Sequence, residues 1–200
     1  MHLIFALLTA VQLATTAGAA PSASSEQIVL SGGCFWGMEA VFDQLKGVTN
    51  VVSGYAGGKE ATAHYDLVST GLTGHAESVQ ITFDPSKVSL QQLFAVYFLV
   101  AHDPTQLDRQ GPDVGSQYRS VIWYEDDAQQ QAARDYIKLL TARKVYGAPI
   151  VTQVQPLVAF YPAEAYHQHF VARNPDNPYV VYEDLPKLAR LRQQFPDLVK

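Results

Sequence analysis

The 200-residue chain has a single cysteine, Cys34. An internal disulfide is therefore excluded, whatever the compartment. Charge is missing at the start: no Lys, Arg, Asp or Glu precedes Glu26. Basic runs are missing throughout and the formal net charge is −5, so nothing points to nucleic acid. The apolar run "LIFALLTAVQLATTA" holds Thr and Gln and is short for a bilayer, so stable membrane insertion is not expected. There is no internal repeat, and no low-complexity segment beyond an N-terminal Pro/Ser/Ala stretch. What is present suits one globular domain: 48% of the residues are hydrophobic, enough for a real core.

The uncharged run leads into Ala17-Gly18-Ala19 and then the Pro/Ser/Ala spacer. That is the layout of a secretory signal with a small-x-small cleavage site. The expected division is a signal peptide over 1–19, a flexible spacer over 20–27 and one domain over 28–200. The n-region carries only the α-amino group and His2, and a transit peptide would carry Arg. Export to the periplasm is expected, with a cytoplasmic chain bearing a docked N-terminal helix as the alternative. Oxidants reach an unpaired thiol in an exported protein, so Cys34 needs a reason to be there.

Along the chain, "IVL" (Ile28 to Leu30) reads as a buried strand. It runs through Ser31-Gly32-Gly33 into a helix with Met38, Val41, Phe42 and Leu45 at i, i+3, i+4 and i+7, stopped by Gly47. "VTNVVSGY" is a second strand, followed by a glycine-rich loop to Gly74. In "ESVQITF", Val79, Ile81 and Phe83 share one face and Ser78, Gln80 and Thr82 the other. Ser89 and Gln92 form a capping box. The helix after it stripes Leu90, Leu93, Phe94, Tyr97, Phe98 and Ala101 along one side. A long polar loop, "HDPTQLDRQGPDVGSQ", leads to the strand "YRSVIWY". Asp126 or Asp127 caps a helix whose inner face is Ala133, Tyr136, Ile137 and Leu140. "PIVTQVQPLVAFY" is extended, with Pro156 marking an edge or a bulge. "AEAYHQHFVA" reads as a short helix, and the tail from Asn177 as having limited structure. The order β-α-β-β-α-β spells an α+β, ferredoxin-like split βαβ core with a mostly antiparallel sheet, extra helices and a C-terminal tail.

The chemistry centres on Cys34, at a strand-to-helix junction. A helix N-terminus favours a thiolate, and Gly32-Gly33 leaves the thiol approachable. The plain alternative is a buried structural cysteine. Phe35 and Trp36 are either core anchors or the wall of an apolar pocket that suits a small group such as a methyl. Glu77 shares the parity of Val79, Ile81 and Phe83. Its carboxyl leans toward the apolar face, where desolvation raises the pKa as a general acid requires. Tyr65, Asp113 and Tyr118 sit in long polar loops, which often carry function. His167 and His169 stand two apart, a spacing that does not place both on one helix face, so no metal site is expected there.

"GCFWG" resembles the active-site signature of A-type peptide methionine sulfoxide reductases. "STGLTGHAESVQITFDP", "HDPTQLDRQGPDVGSQYRS" and "FYPAEAYHQHF" resemble that family's other blocks, in order. The similarity covers nearly everything from Ile28 to the "PKL" at Lys187. It implies a ferredoxin-like α+β core and a reductase of the S epimer of methionine sulfoxide, free or within oxidised proteins, with no metal or other cofactor. By the same resemblance Cys34 is the nucleophile, Phe35 and Trp36 line the methyl pocket, and Glu77 protonates the sulfoxide oxygen. Tyr65 and Tyr118 hydrogen-bond that oxygen, and Asp113 stands at the substrate's edge. Many members carry resolving cysteines in the tail. This tail has Tyr179-Val180-Val181-Tyr182 instead. The expected recycling partner is therefore external: a small thiol, or a thioredoxin-like or glutaredoxin-like donor. A monomer is expected.

Two rivals remain at this stage. A Cys-His hydrolase would need a histidine on Cys34, and His75 or His167 could serve. A secreted binding module would use the aromatic pocket without turnover.

Overall fold

Residues 25–200 are described by a computed structural model. The expected signal peptide and the spacer up to residue 24 lie outside the described residues. Strand β1 (Glu26–Ser31) starts earlier than expected, because Glu26 and Gln27 already pair with Phe83 and Thr82. Glu26 and Gln27, expected in the spacer, therefore belong to the strand. Helix α1 (Phe35–Asp43) follows, with Met38, Val41 and Phe42 fully inside and Leu45 buried just beyond its end.

Next come β2 (Val48–Ala56), the four-residue α2 (Tyr65–Val68) and β3 (Ala76–Phe83). Ser89 and Gln92 form the expected capping box on α3 (Leu90–Val96), which runs into a π turn over Tyr97–Ala101. The polar loop holds a two-stranded hairpin, β4 (Arg109–Gln110) and β5 (Asp113–Val114). Strand β6 (Val121–Tyr124) is shorter than "YRSVIWY", because Tyr118 lies in a 3-10 turn. Asp126 caps α4 (Asp127–Ala142) by accepting from Gln129 N–H. The extended stretch after it splits into β7 (Gln153–Pro156) and β8 (Phe160–Pro162).

The six strands lie in the order β7-β6-β1-β3-β2-β8. β3 sits between β1 and β2 and is antiparallel to both, and β6 is antiparallel to β1. That is the split βαβ, ferredoxin-like arrangement. β7 and β8 extend it at opposite edges, β7 parallel to β6 and β8 antiparallel to β2. Pro156 and Pro162 each close an edge strand, where a missing N–H costs no ladder bond. One face of the sheet carries the main core, with Ile28, Leu30, Val51, Tyr55, Val79, Ile81 and Phe83 against α1, α3 and α4. The other face buries a smaller set around Val29, Ala56, Ala76, Val121 and Trp123.

Two expectations fail near the C-terminus. "AEAYHQHFVA" is mostly turn, and α5 covers only Phe170–Arg173. His169 at its start has φ +51°, outside helical space. The Gln168 amide bonds both the N–H and C=O of Ser53 on β2, taking the segment sideways. The tail is also ordered. A π turn (Val180–Asp184) leads into α6 (Leu185–Gln194), and Val180, Leu188 and Leu191 are buried. The chain end is stitched to the far end of α1: Lys46 N–H donates to Leu198 O at 2.7 Å and Lys200 N–H to Gln44 O at 2.8 Å. Among the described residues no helix is long and apolar enough to cross a membrane.

Candidate active site

Cys34 is the N-cap of α1, at the C-terminal end of β1, beside the β3 residues that hold Glu77. The turn into the helix depends on Gly33. Its φ is +89°, and a Cβ there would lie 2.6 Å from the Gln110 side chain. Gln110 in turn bonds Asp103 N–H and C=O, each at 3.0 Å, while Gly33 N–H donates to Tyr118 O at 3.2 Å. The long polar loop is thereby fixed to the cysteine turn.

Phe35 N–H, a helix-start donor without an intrahelical acceptor, donates to Glu77 Oε2 at 3.0 Å. This bond places a carboxyl that is 2% exposed beside the thiol. Burial pushes Glu77 up to about 8; the Phe35 bond opposes the shift and the Asp113 charge adds to it. Glu77 is therefore largely protonated near neutral pH.

Cys34 departs from the sequence expectation of a ready thiolate. Burial, then the charges of Glu77 and Asp184, push the thiol well above its ordinary value. The Trp36 backbone N–H and Lys187 pull the other way and are outweighed. A helix N-terminus lowers a thiol's pKa only where desolvation does not dominate.

Cys34, Phe35, Trp36, Tyr65, Glu77, Asp113 and Tyr118 line one cavity of about 320 Å³. All seven expected site residues are thus brought together. Glu164 positions Tyr65: its carboxylate accepts Tyr65 N–H at 2.9 Å and the Tyr55 hydroxyl at 2.8 Å. Burial and the Glu77 charge push Tyr65 up to about 12, and burial raises Tyr118 too, so both phenols stay protonated donors. Trp36 stacks on Phe170 with ring centroids 3.7 Å apart, and its indole N–H donates to His167 Nδ1 at 3.0 Å.

Sequence reasoning missed Asn177 and Tyr179, which complete the lining. The Tyr179 hydroxyl donates to Asp113 Oδ2, joining the tail to the β4–β5 hairpin. A tyrosine in a tail carries no local signal of such a role. The histidines needed by a Cys-His hydrolase are engaged elsewhere. His167 receives the Trp36 indole, and His75 lies against Lys59 O and Gly58 N–H. Among the described residues no group of His, Cys, Asp and Glu is arranged to hold a metal.

The model of one family, peptide methionine sulfoxide reductase, matches residues 26–198. The chain belongs to that family. It is 58% identical over 174 residues to peptide methionine sulfoxide reductase MsrA 2 of Mesorhizobium japonicum, covering 87% of this chain and 89% of the relative. Among solved structures it resembles Mxr1 of Saccharomyces cerevisiae in reduced form, with TM-score 0.73 and 32% identity, over 79% of this chain and 90% of that one. It also resembles methionine sulfoxide reductase A of Corynebacterium diphtheriae, with TM-score 0.72 and 34% identity, over 78% of both chains. The A-type reductase fold and the cavity at Cys34 therefore coincide in one molecule.

Proposed function

We propose that the chain reduces peptide-methionine (S)-S-oxide, free or within oxidised proteins, with Cys34 as nucleophile. The observation that carries this reading is the buried Glu77 carboxyl, tied to Phe35 N–H at 3.0 Å and opening on the same cavity as the thiol. The substrate methyl rests on Phe35 and Trp36. The sulfoxide oxygen faces Glu77 and the phenols of Tyr65 and Tyr118, and Asp113 with Tyr179 bounds the peptide side.

Glu77 gives its proton to the oxygen, which makes the sulfur electrophilic. The Cys34 proton passes to the Glu77 carboxylate as Sγ bonds to the sulfoxide sulfur. The S–O bond breaks, the oxygen ends on Sγ with its hydrogen, and methionine leaves. Sγ is oxidised by two electrons and the substrate sulfur is reduced by two. The product is a Cys34 sulfenic acid.

With no second thiol in the chain, an external thiol must resolve it. That donor is a small thiol or a thioredoxin-like or glutaredoxin-like protein, which forms a mixed disulfide that a second thiol releases. The enzyme works as an exported, periplasmic monomer, cut after Ala19. The motive is the uncharged start and Ala17-Gly18-Ala19. N-terminal sequencing from the native host should find Ala20 first, and an intact Met1 on soluble enzyme ends the export reading.

The catalytic test is a burst without reductant. Each chain should release one methionine from the S epimer and gain about one oxygen in mass on Cys34. Equal release from both epimers, two methionines per chain, or activity in Cys34→Ser would refute the reading.

A further inference from the structure

The mechanism gives no part to Asp184 and Lys187, which lie on the tail segment. Asp184, in the π turn, is 0% exposed. Lys187 Nζ donates to its Oδ1 at 3.2 Å, while Oδ2 is buried with no partner among the described residues. A carboxylate held this deep by one donor is costly, and an apolar pair would serve packing better. The pair lies on the bare Cα of Gly37: a Cβ there would come within 2.1 Å of Asp184 Oδ1 and 2.7 Å of Lys187 Nζ. Gly37 is one turn beyond Cys34, on the same side of the helix start. Both charges are therefore seated against the first turn of the helix that carries the nucleophile.

We propose that Asp184 and Lys187 are a positioning pair that sets how readily Cys34 releases its proton, the carboxylate opposing the thiolate and the ammonium relieving it. The proposal rests on Cys34 being the nucleophile. The directions agree with the surroundings of the thiol: Glu77 and Asp184 act against its ionisation and Lys187 favours it. The remaining titratable neighbours are Tyr65 on α2, Asp113 on β5, Tyr118, and Tyr179 on the tail, all lining the same cavity. The consequence is protective. The thiolate is the form that oxidants attack, and a thiol held protonated between turnovers is spared. A chain without a second thiol has no internal route back from such oxidation.

The test is the rate of Cys34 alkylation by iodoacetamide against pH, in the full chain. Asp184→Asn should raise the rate near neutral pH by about twofold or more, and Lys187→Met should lower it by about twofold or more, with the pH midpoints moving in the same opposite senses. Lys187→Arg keeps the charge and should restore the wild-type profile. A packing role alone would shift both variants in one sense. Shifts in the same sense, or smaller than about twofold in either variant, overturn the proposal. If Asp184→Asn does not fold, the contrast of Lys187→Met with Lys187→Arg decides by the same threshold. Alkylation needs no sulfoxide. Failure of the reductase reading would instead appear as wild-type enzyme that releases no methionine.

Discussion

Two glutamates are buried against α1, and they are bonded very differently. Glu39, on the helix itself, accepts from the Ser53 hydroxyl at 3.1 Å and from His169 N–H at 2.9 Å, with the His169 ring 3.2 Å away. Glu77, on β3, accepts the Phe35 N–H alone and faces the cavity of about 320 Å³. Burial raises both carboxyls. The difference teaches that burial alone does not make a proton donor. Saturated with donors, a carboxylate is a structural tie. With one donor and an open side, a carboxyl keeps a proton it can hand to a ligand. Trp36 separates the two regions, since it also lines a second cavity of about 230 Å³ on the Glu39 side.

The sharpest way to break this comparison is to substitute each glutamate. Glu77→Gln should bind substrate but lose roughly a hundredfold or more in single-turnover rate, the share that general acids supply. Glu39→Gln should keep that rate within about twofold, since it touches no reacting atom, yet lose about 1–3 kcal/mol in denaturant unfolding. A wild-type rate in Glu77→Gln removes it from the mechanism.

The phenols extend the contrast to the open side of the site. Tyr65→Phe with Tyr118→Phe should slow the reductase step by roughly 10², as loss of preorganised donors does. Unchanged single-turnover kinetics in that double variant would assign the oxygen to Glu77 alone.

Acidity separates the two regions next. The single-turnover rate should fall above pH about 8, where Glu77 loses its proton, and this limb should vanish in Glu77→Gln. Stability carries the same signature. The folded chain holds the Glu77 proton up to about 8, whereas the unfolded chain releases it near 4.5, so this group's stabilising contribution is lost as pH rises between those values. Thermal melts of wild type and Glu77→Gln across that window should converge at its acid end. Parallel curves would contradict the assignment.

The smallest expected effect belongs to Gly37. Alanine is the better helix former by about 1 kcal/mol, but the Asp184–Lys187 pair fills the space. Gly37→Ala should therefore be destabilising by about 1–3 kcal/mol, as overpacking is. A stabilised variant would show the pair to be free to move aside.

Much of this was legible because it is local or periodic. The alternation around Val79 and Ile81 placed Glu77 on the buried face, and the Ser89–Gln92 box opened α3 as read. The seven site residues meet because the β1–α1 turn, the strand β3 and two tethered loops converge, which the family blocks implied and periodicity could not. The tail was misread for a physical reason. Val180, Leu188 and Leu191 are sparse apolar residues among charges, and their burial against α1 and the π turn that follows α3 shows only in the fold. The state of Cys34 was misread because a helix start is visible in sequence, whereas desolvation by distant elements is not. The turn at His169 was hidden likewise, since its cross-tie to Ser53 spans more than a hundred residues.

The stitching of Lys46 to Leu198 and of Gln44 to Lys200 makes the integrity of the last residues a concern for the nucleophile. One helix has Cys34 at its beginning and the chain end at its finish. Removing the bonds that Leu198 and Lys200 make would leave every cavity residue in place and take away ties at the far end of the helix that carries the thiol. A thiol at one end of the helix is thus tied, through the other end, to residues far along the sequence from it.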